Sequence, residues 1–391
     1  MRARVNRLAI LQLSLLTILA CLVVTTVADA RSRLVPAYGT IKTFEIKGAS
    51  QGSNHLVFTS STYPKAYWEK PEPDWTWKTF KDLGINVLHV SCGQEGNVLR
   101  IQANENHPWG HSFNSDWAQN LDSFLAKADS YGIKVVFHSM GNKWGNLLGV
   151  VPPMNAYKYV EPYSGIPNAL IVIDKLGGNN GLEKNFFKDP RVLWWCPINE
   201  ARIDDPTIRD WLLAVLKRIK DYGGTTSVCV NDGKHRYSET FPYILPIIGD
   251  YVDYLQAHCY NPDIIHQCTN GGPSVDMYPL SYQAFMEDCQ SMIAGRGSFP
   301  KEKLLITECG CGQGTYTWHG GTDSTTVKQQ ADYIKGAFDA CRDAGIGGLM
   351  YWDIIWMYPK TDSRYTQAFG FISWEGTISY EPYTAFKEAE L

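Results

Sequence analysis

The sequence predicts an α/β fold: a single-domain (β/α)8 barrel of the TIM-barrel type that follows an N-terminal signal segment. Three observations support this prediction. Apolar runs typical of strands alternate with amphipathic helical segments through most of the chain. Eight such runs can be counted, which is the number in a closed parallel barrel. Residues 31–391 contain no second long apolar segment, charge block or low-complexity stretch, so we expect one large domain there.

The predicted strands are short apolar runs that end at turn or polar residues. They lie near residues 43–48, 85–91, 133–138, 192–199, 226–231, 254–260, 303–308 and 347–353. The clearest unit is in the middle of the chain, where Arg191 to Ile198 is typical of a strand. Asp205 then caps a predicted helix that begins at Pro206 and ends before Gly223. Similar helical stripes precede Gly132 and Gly345.

Two segments lack any regular period. Residues 49–73 are rich in Ser, Gly, Pro and aromatic residues, and residues 141–181 contain several Pro and Gly. We interpret both as long loops. The second would follow strand three on the C-terminal face of the barrel, where long connections often have a function.

Residues 1–30 have the pattern of a signal peptide. Three arginines precede the apolar run Leu8–Val27, which ends near Ala28-Asp29-Ala30. We expect cleavage after Ala30, a secreted or cell-surface protein, and a catalytic domain at 31–391. The alternative is an uncleaved membrane anchor through residues 8–28, because the apolar run is long enough to span a bilayer.

Composition limits the ligands and cofactors. The net charge is only −4, and the chain has 13 Trp and 22 Tyr, so we expect a neutral ligand with flat apolar faces and no nucleic acid. Loss of Cys21 with the signal leaves nine of ten cysteines, so at least one thiol stays unpaired. We interpret Cys196, Cys229, Cys259 and Cys309, each in a strand-like run, as small buried residues. The one-residue gap in Cys309-Gly310-Cys311 is too short for a zinc site, and we predict no metal and no cofactor.

Two glutamates follow predicted strands at the face where active sites of this fold form. Glu200 ends the run that starts at Leu193, and Glu308 ends the run that starts at Lys303. They are separated by three βα units and therefore belong to strands four and seven. Either alone could cap a helix or pair with a lysine, whereas two at one barrel mouth favour catalysis.

The sequence around these glutamates resembles clan A of the glycoside hydrolases, and family 5 most closely. The matching positions, which follow the chain in the family's order, are residues 187–195 leading into Asn199-Glu200, then His258 and Tyr260, Glu308, and Trp352. The resemblance implies a retaining enzyme of the endo-β-1,4-mannanase or endo-β-1,4-glucanase type that cuts β-linked polysaccharide, with mannan favoured over glucan. Glu200 would be the general acid/base and Glu308 the nucleophile.

The resemblance also implies roles in substrate binding. Asn199 would hold the 2-hydroxyl of the sugar, His258 would line the same subsite, and Tyr260 would hydrogen-bond Glu308. Trp352 would offer its face to the sugar ring. His138 is similar to a substrate-site histidine of the family, and we expect Trp144 and Trp318, in predicted loops, to stack on further sugars.

One position departs from the family. His89 stands on strand two where an arginine usually braces the nucleophile, and either His89 or Arg100 would have to replace it. Two rival interpretations are a barrel that binds carbohydrate without catalysis and a phosphate-binding barrel enzyme. The two carboxylates argue against the first, and the lack of a Gly-rich phosphate loop argues against the second. We expect a monomer whose partner is a polysaccharide or oligosaccharide.

Overall fold

A computed structural model describes residues 46–51, 75–91, 101–104, 107–113, 117–138, 166–198, 200–201, 203, 206–230, 237–312, 314–318, 321–352, 354, 369–372 and 377–389. All of them belong to the unit Ile41–Leu391. The predicted signal peptide or anchor lies outside the described residues, and so does most of the two long predicted loops. None of the described helices is long and apolar enough to span a membrane.

Each of the eight predicted runs overlaps an observed strand, and the first strand begins and ends three residues later than predicted. The strands, including two antiparallel hairpins, are β1 (Ile46–Gln51), β2 (Val87–Ser91), β3 (Ile101–Asn104), β4 (His107–Phe113), β5 (Lys134–His138), β6 (Val192–Trp195), β7 (Ser227–Val230), β8 (Tyr254–His258), β9 (Leu304–Glu308), β10 (Gly314–Trp318), β11 (Gly321–Thr325) and β12 (Gly348–Trp352). The sequence did not predict the hairpins β3–β4 and β10–β11.

The other eight strands form one parallel sheet in the order β6-β5-β2-β1-β12-β9-β8-β7. Strand β1 therefore pairs with both β2 and β12, the second and last strands of this sheet. A parallel bridge between Trp195 and Thr226 brings together β6 and the residue before β7, at the two ends of that order. This arrangement supports the predicted (β/α)8 fold.

The described helices separate most of the sheet strands along the chain. They are α1 (Trp75–Asp82), α2 (Trp117–Ser130), α3 (Ile166–Leu176), α4 (Pro206–Asp221), α5 (Tyr237–Ile248), α6 (Pro262–Gly271), α7 (Met277–Gly295), α8 (Val327–Ala344) and α9 (Tyr380–Glu388). Helix α8 shows how local sequence sets the bounds. Thr326 and Gln329 form a capping box at its start, and Gly345, with φ of 69°, ends it in the left-handed region.

Side chains on the two faces of the sheet form two separate apolar clusters. The larger one lies between helices and sheet. The smaller one takes one fully or nearly buried side chain from each of six sheet strands: Val87, Val136, Trp194, Tyr254, Leu305 and Met350. Because strand side chains alternate between faces, residues two or four positions further on point the same way. His89, His138, His258 and Trp352 meet this condition, so they continue the smaller cluster toward the C-terminal edge of the sheet.

Candidate active site

Glu308 reaches the face of the smaller cluster through an irregularity in strand pairing. It lies three residues after Leu305, and regular alternation would place it on the opposite face. The register of β8 against β9 shifts between Ala257 and His258, so that His258 pairs with Glu308. Such a bulge redirects a side chain. Glu308 and His258 thereby come side by side at the ends of neighbouring strands.

Glu200 lies in the connection after β6, five residues beyond the end of that strand. Its φ of 53° is in the left-handed region, which is unfavourable for a residue with a Cβ. The next residue, Ala201, donates its backbone N–H to the Cys229 carbonyl of β7 at 3.0 Å. The connection is therefore fixed to the neighbouring strand while the Glu200 side chain turns toward β8.

One imidazole joins the two carboxyl groups. His258 Nδ1 lies 2.9 Å from Glu200 Oε1 and 3.4 Å from Glu308 Oε2. A carboxyl oxygen of each glutamate and a ring nitrogen of His258 all lie within 4.8 Å of one another. The Tyr260 hydroxyl donates to Glu308 Oε2 at 2.8 Å. The predicted pair Glu200 and Glu308 is thus brought together, with the predicted His258 and Tyr260 in contact with it.

The two carboxyl groups differ in exposure. The Glu200 side chain is 32% exposed and the Glu308 side chain 8%. Burial, followed by the charge of Glu200, raises the pKa of Glu308, while His258 and the Tyr260 hydroxyl oppose that rise. Glu200 can therefore exchange protons with water, whereas Glu308 is enclosed and oriented by its hydrogen-bond partner.

His258 provides positive charge between the carboxylates. Burial by itself would lower the pKa of His258, but nearby Cys229, Glu308 and Glu200 raise it well above its usual value. Burial and the charge of Glu308 raise the pKa of Tyr260 well above its usual value, so the phenol stays a hydrogen-bond donor. The two carboxyl groups thus favour the protonated form of His258, and they lie beside a phenol that keeps its proton.

His89 and His138 occupy the site from neighbouring strands β2 and β5. Their rings are stacked, with centroids 3.8 Å apart and an interplanar angle of 12°. Burial, together with the positive potential of His138 and His258, lowers the pKa of His89 well below its usual value. A neutral imidazole therefore stands where the family's arginine is expected. Arg100, the other predicted replacement, lies outside the described residues.

The remaining predicted binding residues are only partly described. Trp352 is half-buried at the end of β12, and its backbone N–H donates to the Cys309 carbonyl at 2.7 Å. Trp318 ends β10, so it belongs to a hairpin strand rather than to the predicted loop. Asn199 and Trp144 lie outside the described residues.

Cys309-Gly310-Cys311 proves to be a packing element beside Trp352. A Cβ at Gly310 would lie 2.1 Å from the Trp352 carbonyl oxygen, so only glycine allows this approach. Both cysteines are buried, as are Cys196, Cys229 and Cys259. This agrees with the interpretation of the strand-end cysteines as small buried residues.

Two groups of side chains in the described residues have metal-binding atom types in proximity: His89, His138 and Glu308, and Glu200, His258 and Glu308. In the first group the two imidazole rings are stacked, so the lone pairs of their nitrogens lie in nearly parallel planes. These lone pairs do not point to a common position for a metal ion. In the second group the His258 nitrogen is already shared by two carboxylates. The geometry fits proton transfer better than metal binding.

Two residues that contact His258 could not be predicted from the sequence. The Tyr237 hydroxyl donates to the His258 carbonyl at 2.9 Å, and Cys229 contributes to the raised pKa of His258. Neither residue belongs to a motif. A buried tyrosine at the start of a helix and a cysteine in an apolar strand carry no signal until the strands are assembled.

No family model matches the chain, and no curated protein matches it. Solved structures do match. A glycoside hydrolase family 5 mannosidase from Rhizomucor miehei has a TM-score of 0.58 and 16% identity, covering 89% of this chain and 92% of that chain. The endo-β-1,4-mannanase from Thermotoga petrophila has a TM-score of 0.57 and 17% identity, covering 89% and 76%. An exo-β-1,4-mannosidase from an Opitutaceae bacterium, strain TAV5, has a TM-score of 0.55 and 13% identity, covering 90% and 61%.

At these sequence identities, the similarity to the solved structures shows that the chain shares their fold. It extends over most of the chain and includes a family 5 enzyme. The resemblance to family 5 of the glycoside hydrolases that the strand-end motifs predict is therefore matched at the level of the fold.

Proposed function

We propose that the chain is a retaining glycoside hydrolase that acts on β-mannosides, built on a closed (β/α)8 barrel. The observation that carries this proposal is the contact of one imidazole nitrogen with two carboxylates, at 2.9 and 3.4 Å, at the end of a parallel sheet. Retaining enzymes need carboxyl groups about 5–5.5 Å apart, and inverting enzymes need a wider gap for water. Oxygens within 4.8 Å of each other favour the retaining geometry.

The two steps of the reaction depend on the different exposure of the two carboxyl groups. Glu308 attacks the anomeric carbon while Glu200 donates a proton to the leaving oxygen, and a covalent glycosyl-enzyme forms. Esterification removes the negative charge of Glu308, but the positive charge of His258 remains. The local potential then favours proton release from Glu200, which serves as base toward the incoming water. The exposed position of Glu200 gives that water access.

The substrate class rests on the fold neighbours. They include a mannosidase, an endo-mannanase and an exo-mannosidase, so mannosides are favoured over glucans and the mode of attack stays open. The half-buried Trp352 beside the nucleophile suits a sugar ring.

The second candidate is a carbohydrate-binding barrel without catalysis, since aromatic side chains also serve binding. The enclosed Glu308 weighs against it, because burial of a carboxyl costs stability that binding alone would not require.

A hydrolysis screen tests the substrate class. Purified protein is incubated with mannan, β-glucan, xylan and manno-oligosaccharides, and the anomer of the first product is followed by NMR. We expect cleavage of mannosides with the β-anomer formed first. An α-anomer formed first would refute the retaining mechanism, and binding without cleavage of any substrate would favour the second candidate.

Azide rescue tests the roles of the glutamates. With an activated aryl substrate, Glu200→Ala should form the glycosyl-enzyme and then stall, because water lacks a base. Azide should restore turnover and give a β-glycosyl azide. Glu308→Ala should form no intermediate, and azide should enter from the vacated side to give the α-product. Glu287→Ala, on an exposed position of α7, is the control and should keep full activity. Products of the opposite configuration would reverse the two roles.

A further inference from the structure

Helices α7 and α8 pack side by side with a constant register. The Ser281 hydroxyl of α7 donates to the Tyr333 carbonyl of α8 at 2.8 Å, across a sequence separation of 52 residues. Along one edge of the same pair, Tyr278 donates to Asp339 and Tyr282 to Asp343, both across 61 residues. Equal separations along both helices mean that they run parallel. Residues of α7 and α8 that are 52 positions apart in the sequence therefore face each other along this contact.

The helices approach closely at the start of this contact. A Cβ at Gly336 would lie 2.8 Å from both Ser281 Oγ and the Tyr282 backbone nitrogen. Glycine at this position lets the backbones come nearer than any other residue would. A close approach brings short side chains further along the register within reach of one another.

Cys289 and Cys341 are such a pair. They are again 52 residues apart, both are fully buried, and their sulfur atoms lie 3.8 Å from each other. Sulfur atoms at this distance are in van der Waals contact. A disulfide requires an S–S distance of about 2.05 Å, so the two sulfur atoms are in contact but must approach further for the bond to form.

Two further thiols surround the pair. Cys259 and Cys309 follow β8 and β9, and each interacts electrostatically with Cys341. In the described part of the chain no three of these sulfurs lie within 4.8 Å of one another, so the cluster does not have the ligand set of a structural zinc site. The chemistry open to it is the joining of two thiols, and the sulfur atoms of Cys289 and Cys341 are in direct contact.

We propose that Cys289 and Cys341 form a disulfide when the chain folds under oxidising conditions, and that this bond crosslinks α7 to α8. The oxidant is a disulfide, either a small molecule such as oxidised glutathione or a thiol-disulfide oxidoreductase. One cysteine thiolate attacks the oxidant and releases one thiol, which leaves a mixed disulfide. The second cysteine attacks the protein sulfur of that intermediate and releases the second thiol. Two protein thiols thus lose two electrons and two protons, and the oxidant gains them.

Burial determines when the bond forms. Burial raises the pKa of Cys341 well above its usual value in the folded protein, and the neighbouring Cys289 raises it further. Because the thiolate is the reacting form, exchange in the folded state is slow. The bond therefore forms while the helices are docking and the two thiols are still accessible, and once buried it resists reduction.

Refolding in a glutathione redox buffer tests the proposal. Reduced, denatured protein is refolded with and without oxidised glutathione, free thiols are alkylated after denaturation, and peptides are mapped by mass spectrometry without reduction. We expect the peptides that contain Cys289 and Cys341 to be joined in the oxidised sample only. Both thiols recovered in alkylated form, or a Cys259–Cys289 link as the main product, would overturn the proposal.

Thermal unfolding provides a second readout. Oxidised wild-type protein should lose several degrees of Tm when a reductant is present during denaturation. Cys289→Ala and Cys341→Ala should each lose this dependence on reductant, whereas the control Cys268→Ala, on α6, should keep it. Dependence that persists in Cys289→Ala would refute the bond. Neither readout uses enzyme activity, so this result is independent of the proposed function.

Discussion

At the scale of single residues, the proposed nucleophile Glu308 is contacted by two side chains at the end of β8. His258 and Tyr260 both contact Glu308, and the neutral His89 stands where the family has a permanent guanidinium. With no described arginine beside it, Glu308 relies on an imidazolium and a phenol to stay ionised. We therefore expect the acidic limb of the activity profile to be sensitive to each of these contacts.

Tyr260→Phe tests one of them. Loss of the 2.8 Å hydrogen bond removes a donor that stabilises the carboxylate, so the already raised pKa of Glu308 should rise further. The acidic limb of kcat/KM should move to higher pH, and kcat should fall by roughly tenfold to a hundredfold. Tyr243→Phe, on the exposed face of α5, is the matched control. An unchanged acidic limb in Tyr260→Phe would mean that the phenol does not act on the nucleophile.

The sequence predicted the strand-end residues of the site but not their surroundings. His258 and Glu308 could be placed because each ends an apolar run, and the order of runs fixes their neighbours. The left-handed backbone of Glu200 and the stacking of His89 on His138 depend on connections and on contacts between strands. Neither leaves a periodic signal in the sequence.

At the scale of elements, the turn before β6 is held by a charged cluster. Asp189, with a side chain 2% exposed, accepts hydrogen bonds from Arg191 Nε at 2.8 Å and Nη2 at 2.6 Å. Burial would raise the pKa of Asp189, but the hydrogen bonds from Arg191 and Lys184 lower it to about 2. The cluster fixes the start of the strand that leads to Glu200.

Asp189→Asn should lower the free energy of unfolding at neutral pH by about 2 kcal/mol. The pKa of Asp189 is depressed in the folded state, so this contribution is present above the unfolded pKa near 4 and is lost as pH falls through about 2. The difference from wild type, followed by denaturant unfolding, should shrink over that window. Asp210→Asn, at a 64% exposed position, should change stability by less than about 0.5 kcal/mol. A difference that does not change with pH would show that charge is not its cause.

The close contact of α7 with α8 gives a second element-scale prediction. Gly336→Ala would place a Cβ 2.8 Å from Ser281 Oγ and force the helices apart, at a cost of about 1–3 kcal/mol. At Gly249 the nearest atom to a new Cβ is 3.7 Å away, so Gly249→Ala should be nearly neutral. Thermal unfolding of the two variants measures the difference. Equal Tm values would contradict the packing argument.

The sequence identified the sheet strands better than the hairpins. Most of the eight sheet strands are apolar because they are covered on both faces, and continuous apolar runs are easy to find. Strand β1, which contains Lys47, Ser50 and Gln51, is the exception. In β10 the aromatic residues Tyr316 and Trp318 alternate with threonines, but β11 consists of Gly, Thr, Asp and Ser without an apolar residue. A hairpin needs both strands, and the composition of β11 is typical of a loop, so the sequence predicts a loop around Trp318.

At the scale of the whole molecule, the first and last described elements are tied together. Lys47 of β1 donates from Nζ to the carbonyls of Lys387 and Ala389 at 2.9 and 3.0 Å, and it lies over the Phe386 ring. Helix α9 thereby covers the start of the sheet, at the end opposite Glu308. The Lys47 contacts therefore stabilise one end of the fold, and the candidate active site lies at the other end.

Export is a prediction for the whole chain. We expect expression in a secretory host to give protein outside the cell, with its N-terminus near Arg31. N-terminal sequencing and fractionation measure this. Membrane-bound protein with an intact N-terminus would favour the anchor through residues 8–28. Cytosolic protein that retains Met1 would refute export.

The left-handed backbone of Glu200 also predicts how this position would evolve if the proposed catalysis were no longer needed. A glutamate at φ of 53° costs about 1 kcal/mol relative to glycine, which adopts that conformation freely. Glu200→Gly should relieve this strain, lose the 2.9 Å contact with His258 and, on the proposed mechanism, abolish activity. For a lineage that kept only carbohydrate binding, substitution by glycine would relieve the backbone strain and remove the proposed acid/base in a single step.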